Sequence, residues 1–205
     1  MLTITYGSIL AVFFTATPPE RLGGARFYSD AHTLAQSIAA NGVSVETVAG
    51  VIAALSPNNR WSRNVADAGA LVAAFAMGGY GDAAQVKVGT YNANKIKALR
   101  ILNNEPPLDV LGGLKVRAFY RCIMGDHDAV CVDGHAYSVW RGERFATSLM
   151  PKISPKLYSA IAADYARATE QVNDILGESY SPSQVQAITW LVWRRLTAGM
   201  REARK

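Results

Sequence analysis

The stretch LGGLKVRAFY, residues 111–120, is the most informative segment for predicting the fold of this chain. Its two glycines permit a tight turn, and the residues after them open a helix. A second stretch, VCVDGHAYSV (residues 130–139), places Asp133 in front of another helix, 18 residues after Lys115. A lysine that starts one helix and an aspartate that starts the next can converge on one cleft. We therefore predict a helical hairpin near residues 108–124 and a lysine–aspartate pair as the candidate site.

An amine and a carboxylate together suit chemistry at a sugar carbon. The amine of Lys115 can attack a carbon that bears a leaving base. The carboxylate of Asp133 can stabilise the positive charge that develops there, as in glycoside cleavage. Taken singly, Lys115 is typical of a solvated surface lysine, Asp133 of a helix N-cap and His135 of a first-turn residue. The pair Gly112-Gly113 fits either an ordinary helix–helix turn or a turn whose N–H groups approach a phosphate.

The composition is that of a globular, basic protein. The chain has 205 residues and a mass of 22.1 kDa, 50% of its residues are hydrophobic, and its formal charge is +5. This length favours a single domain over residues 1–205. The charge favours a nucleic-acid partner, with a merely soluble basic protein as the alternative. We interpret the apolar residues 9–16 as a buried first helix rather than a signal peptide or a membrane span.

The cysteine count and one acidic loop bear on disulfides and metals. Cys122 and Cys131 are too few for a disulfide framework or a four-cysteine metal site. We expect a reducing compartment and a core position for Cys122. Residues 126–128, with Asp133 and His135, have the side chains of metal ligands but lack helical ligand spacing, and they are more typical of a solvated turn. We expect neither a metal nor a cofactor.

Helical periodicity runs through most of the chain and predicts an all-α fold of nine or ten helices. Residues 17–19, 41–42 and 78–79 carry proline or glycine signals that end the first, second and fourth predicted helices. Residues 130–132 are the one candidate strand, without an obvious partner. The predicted helices cover residues 3–16, 25–40, 45–55, 62–77, 92–103, 114–124, 134–141, 155–170 and 183–201.

A second unusual stretch is ALSPNNRW, residues 54–61. There a predicted helix ends in two amides, an arginine and an indole, from Asn58, Asn59, Arg60 and Trp61. Such side chains at a loop tip can fill the gap left by an extruded base or contact the opposite base. The structural alternative, favoured by these residues alone, is that Trp61 packs into the core and the asparagines shape the turn.

Three blocks of this sequence, taken in order, resemble the helix-hairpin-helix (HhH-GPD) DNA glycosylase superfamily, in its endonuclease III-like group. The first block is residues 55–58 with Asn64, and the second is residues 89–95 continuing to 100–102. The third is residues 111–115 followed by 132–135. The resemblance covers about residues 45–141, and it includes the interval between the lysine and the aspartate.

The resemblance implies an all-helical, two-lobed fold that binds double-stranded DNA across the cleft between its lobes. It implies that Asp133 is the essential aspartate and that Lys115 is the lysine nucleophile of bifunctional members, which form a Schiff base and nick an abasic site. Asn58 falls where the family has a glutamine that enters the space left by the flipped base. The hairpin is shorter than the family's L-P-G-V-G-x-K, and no four-cysteine cluster follows the last helices. Small divergent relatives of this fold occur in bacteriophages, some of them redeployed to modify bases of viral DNA.

We therefore expect a DNA glycosylase with abasic-site lyase activity that acts on a base flipped out of duplex DNA. Lys115 and Asp133 are the expected catalytic residues, with His135 positioning Asp133 or contacting the DNA backbone. Two alternatives stay open, a base-modifying transferase on the same fold and a DNA-binding module without catalysis. We expect a monomer in the cytoplasm of a bacterium or a phage-infected host cell, with no membrane partner. The predicted DNA-contacting residues are Asn58, Asn59, Arg60, Trp61, Lys95, Gly112, Gly113 and Arg117.

Overall fold

The structure is a computed structural model, and it describes residues 6–39, 42–145 and 150–202, with side chains as far as residue 198. These ranges contain ten helices and no β-strand, so the predicted all-α class is confirmed. Within the same ranges, every helix is too short or too polar to cross a lipid bilayer. The helices are α1 (Gly7–Phe14), α2 (Pro18–Ile38), α3 (Val45–Leu55), α4 (Trp61–Gln85), α5 (Asn92–Leu102), α6 (Pro107–Val110), α7 (Leu114–Ile123), α8 (Gly134–Arg141), α9 (Pro155–Leu176) and α10 (Pro182–Glu202).

The chain divides into two compact units. The first combines Met1–Tyr28 with Asp126–Lys205 and is called the terminal unit below. The second is Ser29–Gly125, the central unit. Helix α2 contributes its first residues to the terminal unit and the remainder to the central unit.

The core of the central unit is built around α3. All eight residues from Val48 to Leu55 are buried, as expected of a helix that is apolar on every side. Helices α4, α5, α6 and α7 pack around it. Gly50 allows one close approach, because a Cβ there would lie 2.9 Å from side-chain atoms of Pro107 in α6. The loop that follows α3 therefore starts from a helix enclosed by four others.

The core of the terminal unit is formed by α1, α8, α9 and α10, which pack against one another. Ile9, Phe13, Tyr165 and Ile188 are completely buried in it. The first part of α2 lies against α10 so closely that a Cβ on Gly24 would be 2.5 Å from the Cα of Ile188. This helix pair therefore requires glycine at position 24.

Helix α2 begins at Pro18, seven residues before the predicted start at residue 25. Proline is well tolerated in the first turn of a helix because the N–H it lacks would have no intrahelical partner. The carboxylate of Glu20 accepts hydrogen bonds from the backbone N–H (2.9 Å) and hydroxyl (3.0 Å) of Thr17. The sequence Thr-Pro-Pro-Glu thus starts α2 as well as separating it from α1.

Other helix ends differ from the predicted ones. The fourth helix continues past Gly78 to Gln85, although Gly79 leaves helical geometry (φ 70°, ψ −158°) and kinks it. Helix α9 extends to Leu176, where Gly177 ends it in a left-handed conformation. Helix α6 was not predicted. Residues 3–5 and 40–41, at predicted helix ends, lie outside the described residues.

The candidate strand at residues 130–132 does not form, and this buried segment is irregular. The hydroxyl of Tyr158 donates to the carbonyl of Val130 (2.7 Å) and accepts from the N–H of Val132 (3.2 Å). One side chain thus satisfies the backbone groups that a neighbouring strand would otherwise bind. Cys131 and Cys122 are both buried thiols outside any disulfide, and the burial of Cys122 confirms its predicted core position.

Candidate functional site

The glycine-containing turn joins two helices in the central unit. Leu111 is buried after α6, Gly112 and Gly113 are exposed, and α7 begins at Leu114. Gly113 has φ 79° and ψ 141°, a backbone conformation that favours glycine. The N-cap residue of α7 is Gly113, which has no side chain with which to cap the first turn. This glycine-containing turn therefore lies at the positive end of the α7 helix dipole, which favours an anion.

Basic side chains surround this turn. The Nζ atom of Lys97, in α5, lies 3.4 Å from the position that a Cβ on Gly112 would take. Arg117 donates a hydrogen bond from Nη2 to the carbonyl of Leu108, which ties α7 to α6. Lys115 is the second residue of α7 and is half-buried. Lys97 is thus a cation beside the turn, and it is not among the DNA-contacting residues predicted from the sequence.

The loop after α3 is shaped by its two asparagines. Asn58 adopts a left-handed conformation (φ 55°) at the exposed tip, and its Nδ2 donates to the hydroxyl of Tyr91 at 3.2 Å. Asn59 Nδ2 donates to the carboxylate of Asp67 at 3.2 Å. Trp61 is half-buried, with its ring edge-on to Phe119 at 6.3 Å. The asparagines therefore have the turn-shaping role of the structural alternative. The predicted DNA contacts of these residues and of the exposed Arg60 stay predictions.

Asp67 fixes this loop to the segment before α5. Its side chain is buried and accepts from Gly89 N–H (2.7 Å) and Arg63 Nε (2.6 Å) as well as from Asn59. Burial by itself raises the pKa of the Asp67 carboxyl. The hydrogen bonds from Gly89, Arg63 and Asn59 and the charge of Arg63 outweigh burial, and the pKa lies below its usual value. Thr90 adds a hydrogen bond from Oγ1 to the carbonyl of Pro57 at 2.7 Å.

Lys95 has a structural contact of its own. Its Nζ donates to the carbonyl of Ala84 at 2.5 Å, in the last turn of α4. A cation at the C-terminal end of a helix is stabilised by the helix dipole. This contact holds the amine against the protein, and a DNA contact by Lys95 stays a prediction.

Asp133 is the N-cap of α8, as its position in the sequence predicts. Its Oδ1 accepts a hydrogen bond from the N–H of Ala136 at 2.8 Å. The other carboxylate oxygen, Oδ2, accepts no hydrogen bond from any residue that the structure describes. The buried residues 130–132 lead directly into this position. Asp133 thus combines a capping oxygen with an oxygen that can face a developing positive charge.

His135 and Asp133 lie in an aromatic part of the terminal unit. His135 is edge-on to Trp190 of α10, with ring centroids 6.1 Å apart. The buried hydroxyl of Tyr165 lies 3.5 Å from the carbonyl of Ala136 and 3.4 Å from Thr189 Oγ1. Burial and the negative charge of Asp133 both raise the pKa of this phenol, against the lowering effect of the Thr189 hydroxyl. Sequence reasoning missed Trp190.

The candidate residues fall in both units. Lys115, the turn at residues 112–113 and the loop at residues 58–61 belong to the central unit. Asp133 and His135 belong to the terminal unit.

Comparison with known proteins identifies a family. A family model described as "Family of unknown function (DUF7178)" matches residues 3–197. The chain belongs to this family. Neither a curated protein nor a solved structure matches the chain. The DUF7178 match includes residues 3–40 and most of α10, two regions outside the glycosylase resemblance.

Proposed function

We propose that this protein binds duplex DNA and releases a flipped-out base as a glycosylase with abasic-site lyase activity, on a two-lobed fold of the HhH-GPD type. The observation that carries the proposal is the turn between α6 and α7, which combines exposed glycines, the positive end of the α7 dipole and the neighbouring amine of Lys97. We further propose that the protein acts as a monomer in the cytoplasm of a bacterium or a phage-infected host cell.

The turn suits a phosphate of the DNA backbone. Gly112 and Gly113 have no side chains that would keep a phosphate from the backbone N–H groups. The positive end of the α7 dipole favours an anion there, and the Lys97 amine adds a full positive charge beside Gly112. These contacts would fix the register of the protein on DNA without reading its sequence.

The loop after α3 suits insertion into the duplex. Asn58 is exposed at the tip of this loop. Its amide is hydrogen-bonded to the hydroxyl of Tyr91, a residue that is 64% exposed. The contacts of Asp67 and Thr90 hold this loop in one conformation before DNA binds. A preorganised loop loses less conformational entropy on binding than a mobile one. The Asn58 amide would occupy the space that a flipped base leaves.

Lys115 and Asp133 would carry the chemistry. The neutral Lys115 amine attacks C1′ of the nucleotide while the bond from C1′ to the base breaks, and the base leaves with its electron pair and takes up a proton. The ionised Asp133 carboxylate stabilises the positive charge that develops on the sugar. Ring opening then gives a Schiff base between Lys115 and C1′. Loss of a proton from C2′ expels the 3′ phosphate and nicks the strand, and water releases the lysine. His135 would position Asp133 or contact the DNA backbone.

Salt-dependent DNA binding tests the first step of this proposal. Fluorescence anisotropy with labelled undamaged and abasic duplexes should show affinity that falls steeply as salt rises, because bound phosphates release counterions. Lys97→Gln should reduce the slope of log affinity against log salt by about 1. Arg100→Gln is the matched control and should change the slope less, because Arg100 is already paired with Glu105 (2.9 Å). Absent or salt-independent binding to both duplexes would contradict the proposal.

A further inference from the structure

Three side chains with affinity for planar rings lie in a row on α10. Gln186, Trp190 and Arg194 are spaced four residues apart, so they share one side of the helix. An amide can hydrogen-bond to the edge of a nucleobase, whereas an indole and a guanidinium can stack on its face. The proposed function gives this row no role.

Trp190 is the centre of an aromatic cluster from three helices. The guanidinium of Arg194 lies over its ring, 4.5 Å from the centroid. The ring of Phe27, from α2, is 6.1 Å away and tilted by 36°, and the ring of His135, from α8, is 6.1 Å away and edge-on. Trp190 itself is only half-buried. The Arg194 guanidinium thus covers part of the Trp190 ring, and the half-buried ring keeps another part of its surface accessible to solvent.

Gln186 supplies a directed amide one turn away from Trp190. The residue is 4% exposed. Its Oε1 accepts a hydrogen bond from the hydroxyl of Tyr28 at 2.8 Å, which sets the orientation of the amide. Its Nε2 donates to no residue that the structure describes. An amide that is oriented through its oxygen is suited to donate its N–H groups to an acceptor on a ligand.

The row is connected to the residue proposed to stabilise the sugar cation. Asp133 Oδ1 binds the N–H of Ala136. The hydroxyl of Tyr165 lies between the carbonyl of Ala136 and Thr189, the residue that precedes Trp190. A buried phenol therefore fixes the start of α8 relative to the middle of α10. This contact sets Asp133 and the α10 row in a defined arrangement within one unit.

We infer that the α10 row holds the extruded base, which stacks on Trp190 while Gln186 Nε2 donates a hydrogen bond to a carbonyl oxygen on its edge. This inference rests on the proposed function and names its substrate class, a base with an exocyclic carbonyl oxygen. The Arg194 guanidinium lies over the Trp190 ring. His135, in the first turn of the helix that Asp133 caps, is edge-on to the same ring.

Photo-cross-linking tests the inference directly. The probe is a duplex that carries one 5-iodouracil opposite guanine, since this base has carbonyl oxygens and cross-links to aromatic rings on irradiation. Tandem mass spectrometry of the digested adduct should place it on Trp190. Trp190→Leu should reduce the yield at least tenfold and Trp190→Phe should keep a large part of it. Trp193→Leu, on the same helix but packed against the terminal core, is the matched control and should keep the adduct at Trp190.

A second duplex separates base binding from a purely structural role. It carries a tetrahydrofuran abasic analogue in place of the iodinated base. Trp190→Leu should change its affinity by less than twofold, because there is no base to stack. Equal weakening of both duplexes, or adducts confined to other peptides such as that of residues 54–61, would overturn the inference. Failure of the wild-type protein to bind either duplex would refute the proposed function itself.

Discussion

Replacing Asp67 by alanine should loosen the central unit and the loop it supports. The Asp67 carboxylate is 4% exposed and accepts three hydrogen bonds, at 2.7 Å from Gly89, 2.6 Å from Arg63 and 3.2 Å from Asn59. Asp67→Ala leaves all three donors without this acceptor. Because the three donors come from the loop, from α4 and from the segment before α5, one substitution disconnects all of them.

The size of the effect follows from how well water can replace the carboxylate. A hydrogen bond to a charged group contributes about 1.5–3 kcal/mol, and a buried donor left without a partner costs about 1–3 kcal/mol. Arg63 and Gly89 are exposed and Asn59 is half-buried, so water reaches each of these residues in the variant. The screened Arg63 pair contributes little. We expect a loss of about 2 kcal/mol in the free energy of unfolding.

The pH dependence has a definite sign. The pKa of Asp67 is lowered in the folded protein, so its stabilising effect is complete above the unfolded carboxyl pKa of about 3.9. The effect is lost as pH falls through the lower folded value. The stability difference between wild type and variant should therefore be constant from about pH 7 to pH 5 and shrink below about pH 4.

Urea unfolding followed by circular dichroism measures this difference. Asp82→Ala is the matched control, because Asp82 is an exposed carboxylate on the same helix, and it should change stability by less than about 0.5 kcal/mol. Equal stability of Asp67→Ala and Asp82→Ala at pH 7 would refute the role assigned to the Asp67 contacts.

Three further predictions concern the helix packing, the cap and the loop. Gly24→Ala should lower the free energy of unfolding by about 3 kcal/mol, because its Cβ would meet the backbone of α10 at 2.5 Å. At Gly23 a Cβ would be 3.6 Å from the nearest side chain, so Gly23→Ala should be neutral or stabilising by up to about 1 kcal/mol. Thermal unfolding of the two variants measures both effects. Asp133→Asn keeps a capping oxygen, so it should change stability by less than about 0.5 kcal/mol. It should slow base release about 100-fold in single-turnover assays, because the charge that stabilises the sugar cation is lost. If the variant mainly unfolds, Asp133 is a structural cap alone. Asn58→Ala and Trp61→Ala should each reduce the fluorescence of an extruded 2-aminopurine in a bound duplex, and wild-type signals in both folded variants would restrict this loop to its structural role.

The sequence predicted helices well where local signals agreed. The third helix has the predicted bounds because Ser44 caps it (Ser44 Oγ to Thr47 N–H, 3.1 Å) and Pro57 follows its end. Helix α8 has its predicted bounds because Asp133 caps its start and Gly142 ends it in a left-handed conformation. Each of these signals lies within a few residues of the boundary that it sets, so each can be recognised without tertiary structure.

The errors occurred where one signal had two meanings or where the deciding contact was distant in sequence. Prolines such as those at residues 18–19 can follow the end of one helix or occupy the first turn of the next. The hydrogen bond from Thr17 to Glu20 shows that they begin α2. The apolar residues 130–132 have the pattern of a strand, but Tyr158, far along the chain, satisfies their backbone instead.

The same limit applies to the candidate site. The residue types in the sequence pointed to Asp133, the glycine turn and the asparagine loop. The pairing of Asn59 with Asp67 and of His135 with Trp190 depends on how helices pack, which residue spacing does not determine. The four-residue spacing of Gln186, Trp190 and Arg194 was visible in the sequence, but its meaning required the neighbours contributed by α2 and α8.

Borohydride trapping on an abasic duplex tests the central claim most directly, because it detects the Schiff base that a lysine nucleophile forms. The wild-type protein should give a covalent protein–DNA adduct, and mass spectrometry should place it on Lys115. Lys115→Gln should abolish the adduct while duplex binding stays within a few-fold of wild type. Lys87→Gln, an exposed lysine of the same unit, should leave the adduct unchanged. A full adduct yield from Lys115→Gln, or no adduct from wild-type protein that binds the duplex, would contradict the lysine mechanism.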